Sequence, residues 1–158
     1  MSKVFVTSAL PYANGSIHLG HLVEYIQTDI YCRFRRMLGD DVVYVCADDT
    51  HGTPIEVNAR SRGIPPEELV AFYGKEHKED FDGFGVAFDI YYSTNSDENR
   101  RYSELIFSRL TEKGHIVRKS IPLNWCEHDR RYLPDRYIKG KCPKCGAADQ
   151  YGDVCEKC

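Results

Sequence analysis

The sequence predicts an α/β fold, in which parallel strands form a sheet covered by helices and a small β-rich module follows. Two observations lead to this prediction. Short β-branched or apolar runs alternate with long amphipathic stretches over residues 1–119, which is the pattern of parallel β-α-β units. Residues 120–158 have no long helical period and carry several Pro and Gly and a cluster of Cys. We therefore expect one domain over residues 1–119 and a separate module over residues 120–158.

A first β-α-β unit is predicted close to the N-terminus. Lys3–Ser8 is rich in β-branched residues and favours a strand. The next helix extends to about Leu38, because apolar residues recur every four positions and form a stripe: Leu22, Ile26, Ile30, Phe34 and Leu38, widened by Leu19, Val23 and Tyr31. Val42–Ala47 is apolar almost throughout, as buried strands of parallel sheets are.

The remaining elements are predicted from periodicity and from their stop signals. Gly63 and Gly114 follow periodic segments, where glycine ends helices. We expect a helix over residues 55–62, a helix from Pro65 to about Phe84, a strand over Phe88–Thr94, a helix over Asn99–Lys113 and a further strand over His115–Lys119.

Composition excludes some classes of protein. No run approaches the roughly 18 apolar residues of a membrane span, and no signal peptide is recognisable, so we expect no membrane partner and a cytoplasmic location. The net charge is −3, yet residues 113–144 carry 9 Lys and Arg against 3 Asp and Glu. This basic segment is either a surface for a polyanion such as RNA or a solvated charged face.

The run Pro11–His21 predicts an anion site. It follows the first strand and opens a helix, whose first turn has free N–H groups and the positive end of the helix dipole. His18 and His21 are three residues apart and share one helix face. With the preceding loop at Asn14, and with Gly20 allowing close approach to the backbone, this arrangement suits the phosphates of a nucleotide such as ATP.

Other candidates flank the same crevice, because ligands of open α/β sheets bind outside the carboxyl ends of strands. Asp49 follows the second strand, where its carboxylate either pairs with a ligand ammonium group or closes the loop through a hydrogen bond. His51 fits a turn as well as a catalytic role. Leu10 and Tyr12 flank the first loop and can line a small apolar pocket.

The cysteines predict one metal. Two Cys-x2-Cys pairs, Cys142 with Cys145 and Cys155 with Cys158, are joined by nine residues and can wrap one tetrahedral Zn²⁺ with four thiolates. No position is left open for a substrate, so the zinc is structural. Cys126 either ligates a second metal, together with His128 or with residues outside these 158, or ligates none. Cys32 and Cys46 are expected to be core residues.

Several of these motifs resemble one protein family, the methionyl-tRNA synthetases of class I. The resemblance covers essentially the whole chain and rests on Ala9–His21, Cys46–Pro54, Phe81–Phe84, Ser93–Asn99 and Leu133–Cys158. It implies the first half of a Rossmann-like nucleotide-binding domain of the HUP type, with an inserted zinc-knuckle module.

The resemblance also implies roles for individual residues. His18 and His21 match the histidines that steady the phosphates of ATP, and Gly20 matches the glycine under the adenine. Asn14 is placed with these ATP-binding residues. The methionine-binding residues implied are Leu10, Tyr12 and Asp49, with Asp49 on the ammonium group, and the zinc ligands implied are Cys142, Cys145, Cys155 and Cys158.

The activity implied is methionine–tRNA ligation. ATP, bound with Mg²⁺, reacts with L-methionine to give methionyl-adenylate, and the methionyl group then passes to tRNA(Met). The family's Lys-Met-Ser-Lys-Ser loop and anticodon-binding domain are not found in these 158 residues, so we expect a fragment that is inactive alone. Two alternatives are a non-catalytic zinc and RNA-binding module and a synthetase for leucine, isoleucine or valine.

Overall fold

The computed structural model describes residues 1–152 and 154–158. The chain forms two compact units, Met1–Leu105 and Ile106–Cys158. The predicted domain boundary after residue 119 lies inside the second unit, and as a statement about domains it stays a prediction. No helix among the described residues has the length and apolar character needed to cross a membrane.

The first unit is built on a parallel sheet. Its strands are β1 (Lys3–Thr7), β2 (Asp41–Asp48) and β3 (Ile90–Ser93), in the spatial order β1-β2-β3. Val4 pairs with Val42, and Val45 pairs with Ile90. Three helices accompany the strands, α1 (Leu19–Met37), α2 (Thr53–Arg62) and α3 (Pro66–Gly83), and a fourth, α4 (Asp97–Glu112), begins in this unit and ends in the second. The predicted α/β class and parallel sheet are confirmed.

The buried face of α1 differs from the predicted stripe. Its buried residues are Leu22, Tyr25, Asp29 and Cys32, whose spacing of three or four residues matches the helical period. A row with a constant step of four drifts around the helix, so Ile30 and Phe34 become exposed. The buried carboxylate of Asp29 accepts a hydrogen bond from the Ala87 backbone at 3.0 Å.

Aromatic side chains from α1, β2 and α3 fill the core beneath the sheet. Tyr25 and Phe81 meet edge to face with ring centroids 4.6 Å apart, and Phe88 lies 5.2 Å from Phe81. Such pairs add to the apolar area that they bury. Cys32 and Cys46 are buried in this cluster, as predicted for core residues.

The second unit contains two small antiparallel pairs. Strands β4 (Asn124–Cys126) and β5 (Arg131–Leu133) form one, and strands β6 (Lys139–Gly140) and β7 (Gln150–Tyr151) form the other. A single turn of 3₁₀-helix lies at Asp135–Tyr137. The β-rich character predicted for this part of the chain is therefore present.

The predicted strand over His115–Lys119 is wrong. No strand forms in that part of the described chain. The His115 amide instead donates to the Leu110 carbonyl at 3.0 Å and finishes α4, helped by Gly114 with φ of 76°. Val117 is 82 % exposed, so an apolar run without a pairing partner remains irregular.

Candidate active site and metal centre

Two loops meet at the carboxyl ends of β1 and β2. The Asp49 amide donates to the Pro11 carbonyl at 2.8 Å, and the Ala13 amide donates to the Asp49 carbonyl at 2.9 Å. Tyr12 and Asp49 thereby form an isolated parallel bridge that continues the sheet. The two loops that were predicted to share one crevice are joined through their backbones.

The two histidines cap the start of α1. The Nδ1 atom of His18 accepts from the Gly20 amide at 3.1 Å, and the Nδ1 atom of His21 accepts from the His18 amide at 3.2 Å. The two bonds form a reciprocal capping box. The rings stack with centroids 3.8 Å apart.

This capping leaves one nitrogen of each ring for a ligand. Because each Nδ1 accepts, the ring proton lies on Nε2 in these contacts. Neither Nε2 atom has a hydrogen-bond partner among the described residues. Burial lowers the pKa of His21, and the neighbouring His18 and His77 lower it further. Two ring N–H donors therefore stand at the positive end of a helix, where anions bind.

Gly20 has a specific steric role in this cap. A Cβ atom at Gly20 would lie 2.9 Å from Cε1 of His18. The close approach that glycine permits in the structure is thus that of the His18 ring to the helix start.

A cavity of about 250 Å³ lies in front of these loops. Its lining residues are Pro11, Tyr12, Asn14, Gly15, Ser16, Ile17, His21 and His77. Three of the residues predicted for the site, Tyr12, Asn14 and His21, are among them. Leu10, His18, Gly20 and Asp49 are not lining residues, although each lies within the same two loops or at the start of α1.

The carboxylate of Asp49 is left for a ligand. The residue is half-buried, and its loop-closing bonds use the backbone alone. No hydrogen bond or ion pair to its carboxylate occurs within residues 1–152 and 154–158. Burial raises the pKa of the Tyr12 phenol, and the Asp49 charge adds to this rise. The structure therefore supplies an anionic group beside the cavity that can receive a cation.

Asn14 is held by a residue that sequence reasoning missed. The Asn58 amide on α2 donates to the Asn14 carbonyl at 3.0 Å and to the Asn14 side-chain oxygen at 2.9 Å. The Arg62 guanidinium in turn donates to the Asn58 side-chain oxygen at 3.0 Å. The bonds between Asn58 and Asn14 join residues 44 positions apart, so no local sequence pattern predicts them.

Two other residues near the cavity were not predicted. Asp48 ends β2 and is buried, and His77 on α3 is buried among apolar neighbours. His77 contacts Asp48 and the Gly15 carbonyl. A signal existed in the sequence, because His77 continues the four-residue row Leu69, Tyr73, Phe81 of buried side chains on α3.

The four predicted zinc ligands converge. The ligand atoms of Cys142, Cys145, Cys155 and Cys158 all lie within 4.8 Å of one another. The sulfurs of Cys142 and Cys158 are 3.7 Å apart, and those of Cys145 and Cys155 are 3.6 Å apart. A tetrahedral zinc with bonds of about 2.3 Å puts its sulfurs about 3.8 Å apart. The cluster therefore fits one tetrahedral metal ion.

The four thiols of the cluster differ in how tightly they hold their protons. Backbone N–H groups of Cys145 and Lys144 lower the pKa of Cys142 to about 6, whereas hydrogen bonding with the other thiols, Cys155 foremost, raises the pKa of Cys158 to about 12. Crowded thiols share their protons, and a divalent cation replaces these protons when it binds.

The described residues bring no second group of candidate metal ligands together at Cys126. The Asp129 amide donates to the Cys126 sulfur at 3.4 Å, and the His128 ring contacts the Asp129 carboxylate at 2.9 Å. Neither Cys126 nor His128 joins a group of three or more candidate ligands in the described part of the chain. The described residues therefore offer no further ligands for a metal bound by Cys126 and His128.

Sequence comparisons find relatives that match nearly the whole chain. A family model described as tRNA synthetases class I (M) matches residues 4–158. A methionine–tRNA ligase of Myxococcus xanthus is 63 % identical over 156 residues, and it matches 99 % of this chain and 22 % of its own length. One from Leptospira biflexa is 57 % identical over 159 residues, matching 100 % of this chain and 23 % of its own length. The chain thus spans less than a quarter of the length of these relatives, as expected of a fragment.

Solved structures share the fold. The LeuRS of Agrobacterium radiobacter K84, in a ternary complex with tRNA and LeuAMS, superposes with a TM-score of 0.72 at 25 % identity, over 96 % of this chain and 20 % of its own. A Mycobacterium tuberculosis methionyl-tRNA synthetase in complex with methionyl-adenylate gives a TM-score of 0.72 at 23 % identity, over 96 % of this chain and 31 % of its own. The Rossmann-like α/β architecture predicted from the sequence is the architecture that these proteins share.

Proposed function

Because the chain belongs to the class I tRNA synthetases of the (M) family, we propose that it is part of a methionine–tRNA ligase. The ligase activates L-methionine with ATP and transfers the methionyl group to tRNA(Met). One observation carries the proposal most directly. The capping histidines stand at the start of α1, and the Asp49 carboxylate has no partner among the described residues; both adjoin the two loops that backbone hydrogen bonds join at the carboxyl ends of β1 and β2. A binder of ATP and an amino acid needs donors for phosphate and an acceptor for ammonium at such an edge.

The first step is a transfer at phosphorus. An oxygen of the methionine carboxylate attacks the α-phosphorus of ATP, the bond to the β-phosphate oxygen breaks, and pyrophosphate leaves. No side chain of the protein is needed as a nucleophile. Catalysis therefore depends on positioning two anionic reactants and on stabilising the charge that develops on the phosphates.

The residues of the two loops divide this work. We assign the Nε2–H groups of His18 and His21 to the phosphates of ATP, at the positive end of the α1 dipole. Asn14 and Gly20 complete the ATP contacts. Asp49 receives the methionine ammonium group, and Leu10 and Tyr12 enclose its side chain. Mg²⁺ arrives with ATP and neutralises phosphate charge.

The cysteine cluster has a structural part in this enzyme. We assign one Zn²⁺ to Cys142, Cys145, Cys155 and Cys158, because four thiolates form a closed site without a position for substrate. Bound there, the ion would supply folding free energy to the second unit. Free thiols in both units suit a reducing compartment, and we place the enzyme in the cytoplasm.

Amino-acid selectivity of ATP–pyrophosphate exchange tests the proposal. The full-length protein is assayed with methionine, leucine, isoleucine and valine in separate reactions. Methionine-dependent exchange with the other three near background supports the assignment. Exchange driven by leucine, isoleucine or valine would assign the protein to that related group. Salt-sensitive RNA binding with no exchange would favour the non-catalytic module, which the basic segment 113–144 suggests. Residues 1–158 alone are expected to be inactive.

A further inference from the structure

A buried histidine next to the cavity has no part in the chemistry proposed above. His77 lies on α3 and is 1 % exposed. Its neighbours in the same buried row are Leu69, Tyr73 and Phe81. Burying an imidazole among such residues costs free energy unless its polar atoms are hydrogen-bonded. The role of His77 therefore depends on the hydrogen-bond partners of its two ring nitrogens.

Both ring nitrogens of His77 face acceptors. The Nδ1 atom is 2.6 Å from the Asp48 carboxylate, and the Nε2 atom is 2.8 Å from the Gly15 carbonyl. A neutral imidazole has only one N–H group, so two bonds to acceptors require the imidazolium form. Burial lowers the pKa of His77, but the bonds to Asp48 and Gly15 outweigh burial and leave the pKa raised.

Asp48 is built to hold this cation. It ends β2 with its side chain only 7 % exposed. The Tyr91 hydroxyl on β3 donates to the same carboxylate oxygen at 2.7 Å. A Cβ atom at Gly74 would lie 2.9 Å from the other oxygen, so glycine at that position lets α3 approach the carboxylate. The charge of Asp48 is thereby fixed at one place, facing His77.

The other end of His77 reaches the cavity loop. Gly15 lies between Asn14 and Ser16, and all three line the cavity of about 250 Å³. Among the described residues, only Asn58 and His77 donate side-chain hydrogen bonds to this segment. Asn58 holds Asn14 and His77 holds Gly15 by these hydrogen bonds. His18, three residues after Gly15, caps α1, so the bond to Gly15 helps to fix the position of the capping histidines.

We propose that His77 is a positioning residue for adenylate formation, which holds the Asn14–Ser16 loop through the Gly15 carbonyl while Asp48 orients its ring. This inference rests on the function proposed above. The imidazolium form makes both bonds at once, and the carboxylate keeps it in that form. His77 thus connects Asp48, at the end of β2, to the loop that precedes His18 and His21.

Two isosteric substitutions separate the two bonds. In His77→Gln the terminal amide nitrogen takes the place of Nε2, so the bond to Gly15 remains and the bond to Asp48 is lost. In His77→Asn the amide nitrogen takes the place of Nδ1, so the bond to Asp48 remains and the bond to Gly15 is lost. Glu79→Gln, on the exposed face of the same helix, removes only the charge that faces Lys75 at 3.7 Å and serves as the control.

The test is methionine-dependent ATP–pyrophosphate exchange by the full-length protein, with thermal unfolding measured for each variant. We expect His77→Asn to lower kcat roughly 10- to 100-fold, because small misplacements of a positioning group cost that much. His77→Gln should stay within about threefold of wild type, and Glu79→Gln should be unchanged in kcat. The melting temperatures of the two His77 variants should be similar, so that activity and stability separate.

A second variant covers the case in which neither His77 variant folds. Asp48→Asn removes the negative charge, so the ring becomes neutral; its single N–H stays on Nε2 and bonded to Gly15 when the Asn amide donates to Nδ1. It should therefore keep kcat within about threefold of wild type, like His77→Gln. Equal kcat values for His77→Asn and His77→Gln, or a loss in Asp48→Asn as large as that expected for His77→Asn, would overturn the positioning role of the Gly15 bond. A wild-type protein without methionine-dependent exchange would instead refute the proposed function, and this inference with it.

Discussion

The two candidate sites of the chain are assembled in opposite ways. At the sheet edge, backbone bonds of 2.8 and 2.9 Å join the two loops, and side chains from α2 and α3 hold the loop before α1. In the second unit, four cysteines converge within 4.8 Å where the strands are only two or three residues long. The first site is preorganised by the fold that surrounds it. The second has little besides its own ligands to hold it together.

This difference has an energetic meaning. The first unit has an aromatic core, with Tyr25, Tyr44 and Phe81 fully buried. The described hydrophobic side chains of the second unit are largely exposed, and Cys142 is its one buried hydrophobic residue. Small modules without a core are usually stabilised by a metal or by disulfides. Loss of the metal should therefore unfold the second unit. Loss of a ligand contact at the carboxyl ends of β1 and β2 should lower activity without unfolding the first unit.

The largest effect is expected from removing a metal ligand. Structural zinc contributes about 10–16 kcal/mol in small zinc-binding peptides, so Cys142→Ser should reduce bound zinc from one ion per chain to almost none. Cys32→Ser, in the core of the first unit, is the matched control and should keep the full metal content. Metal analysis of the purified full-length proteins measures both. Retention of zinc by Cys142→Ser would show that the four thiolates are not its ligands.

Removing one capping histidine should affect catalysis more than stability. Loss of a donor to developing phosphate charge costs about 3–4 kcal/mol, so His21→Ala should slow adenylate formation on the order of a hundredfold or more. His115→Ala changes an exposed histidine of the second unit and should leave the rate unchanged. Pyrophosphate exchange at saturating substrates gives both values. Near-wild-type turnover of His21→Ala would remove the histidine from the site.

Asp49→Asn should change the affinity for one substrate. A hydrogen bond to a charged partner contributes about 1.5–3 kcal/mol, so the KM for methionine should rise roughly 10- to 100-fold while the KM for ATP stays the same. Asp41→Asn makes the same chemical change at the opposite end of β2, where the residue is exposed. Equal shifts in the two KM values, or a shift in the Asp41 variant, would argue against an ammonium contact.

The smallest effect concerns the approach of α3 to the sheet. In Gly74→Ala the new methyl group meets the Asp48 carboxylate at 2.9 Å, and overpacking of this kind costs about 1–3 kcal/mol. Gly83→Ala, on the same helix, meets nothing within 4 Å and should raise the free energy of unfolding by up to about 1 kcal/mol. Denaturant unfolding measures the pair. Equal stability of the two variants would mean that the contact between α3 and Asp48 is loose.

Much of the fold could be predicted because it depends on local periodicity. The bounds of α1 and α3 and the parallel strands follow from runs of apolar residues and from Gly and Pro stops. Two local predictions failed for physical reasons. A four-residue step drifts off the buried face of α1, and the apolar run at His115–Lys119 has no strand to pair with. Which face of α1 packs on the sheet, and whether the run His115–Lys119 finds a strand to pair with, both depend on other parts of the chain.

The part of the candidate site that lies in one continuous sequence motif could be predicted, and the part that depends on distant residues could not. Tyr12, Asn14 and His21 lie in one continuous motif, and the structure places all three in the cavity wall. His77 and Asp48 are 29 positions apart, and His77 and Gly15 are 62 apart. Such contacts exist only after α3 packs on the sheet, so a motif search finds the candidate binding residues and misses the residues that contact them from α3.

Hydrogen exchange of the full-length protein, followed peptide by peptide with and without a metal chelator, tests the contrast between the two sites most directly. Chelation should remove protection from amides of residues 121–158. The amides of Ala13 and Asp49, which bond across the two loops, should keep theirs. Loss of protection at Ala13 and Asp49 together with the cysteine region, or unchanged protection of the cysteine region, would contradict the account.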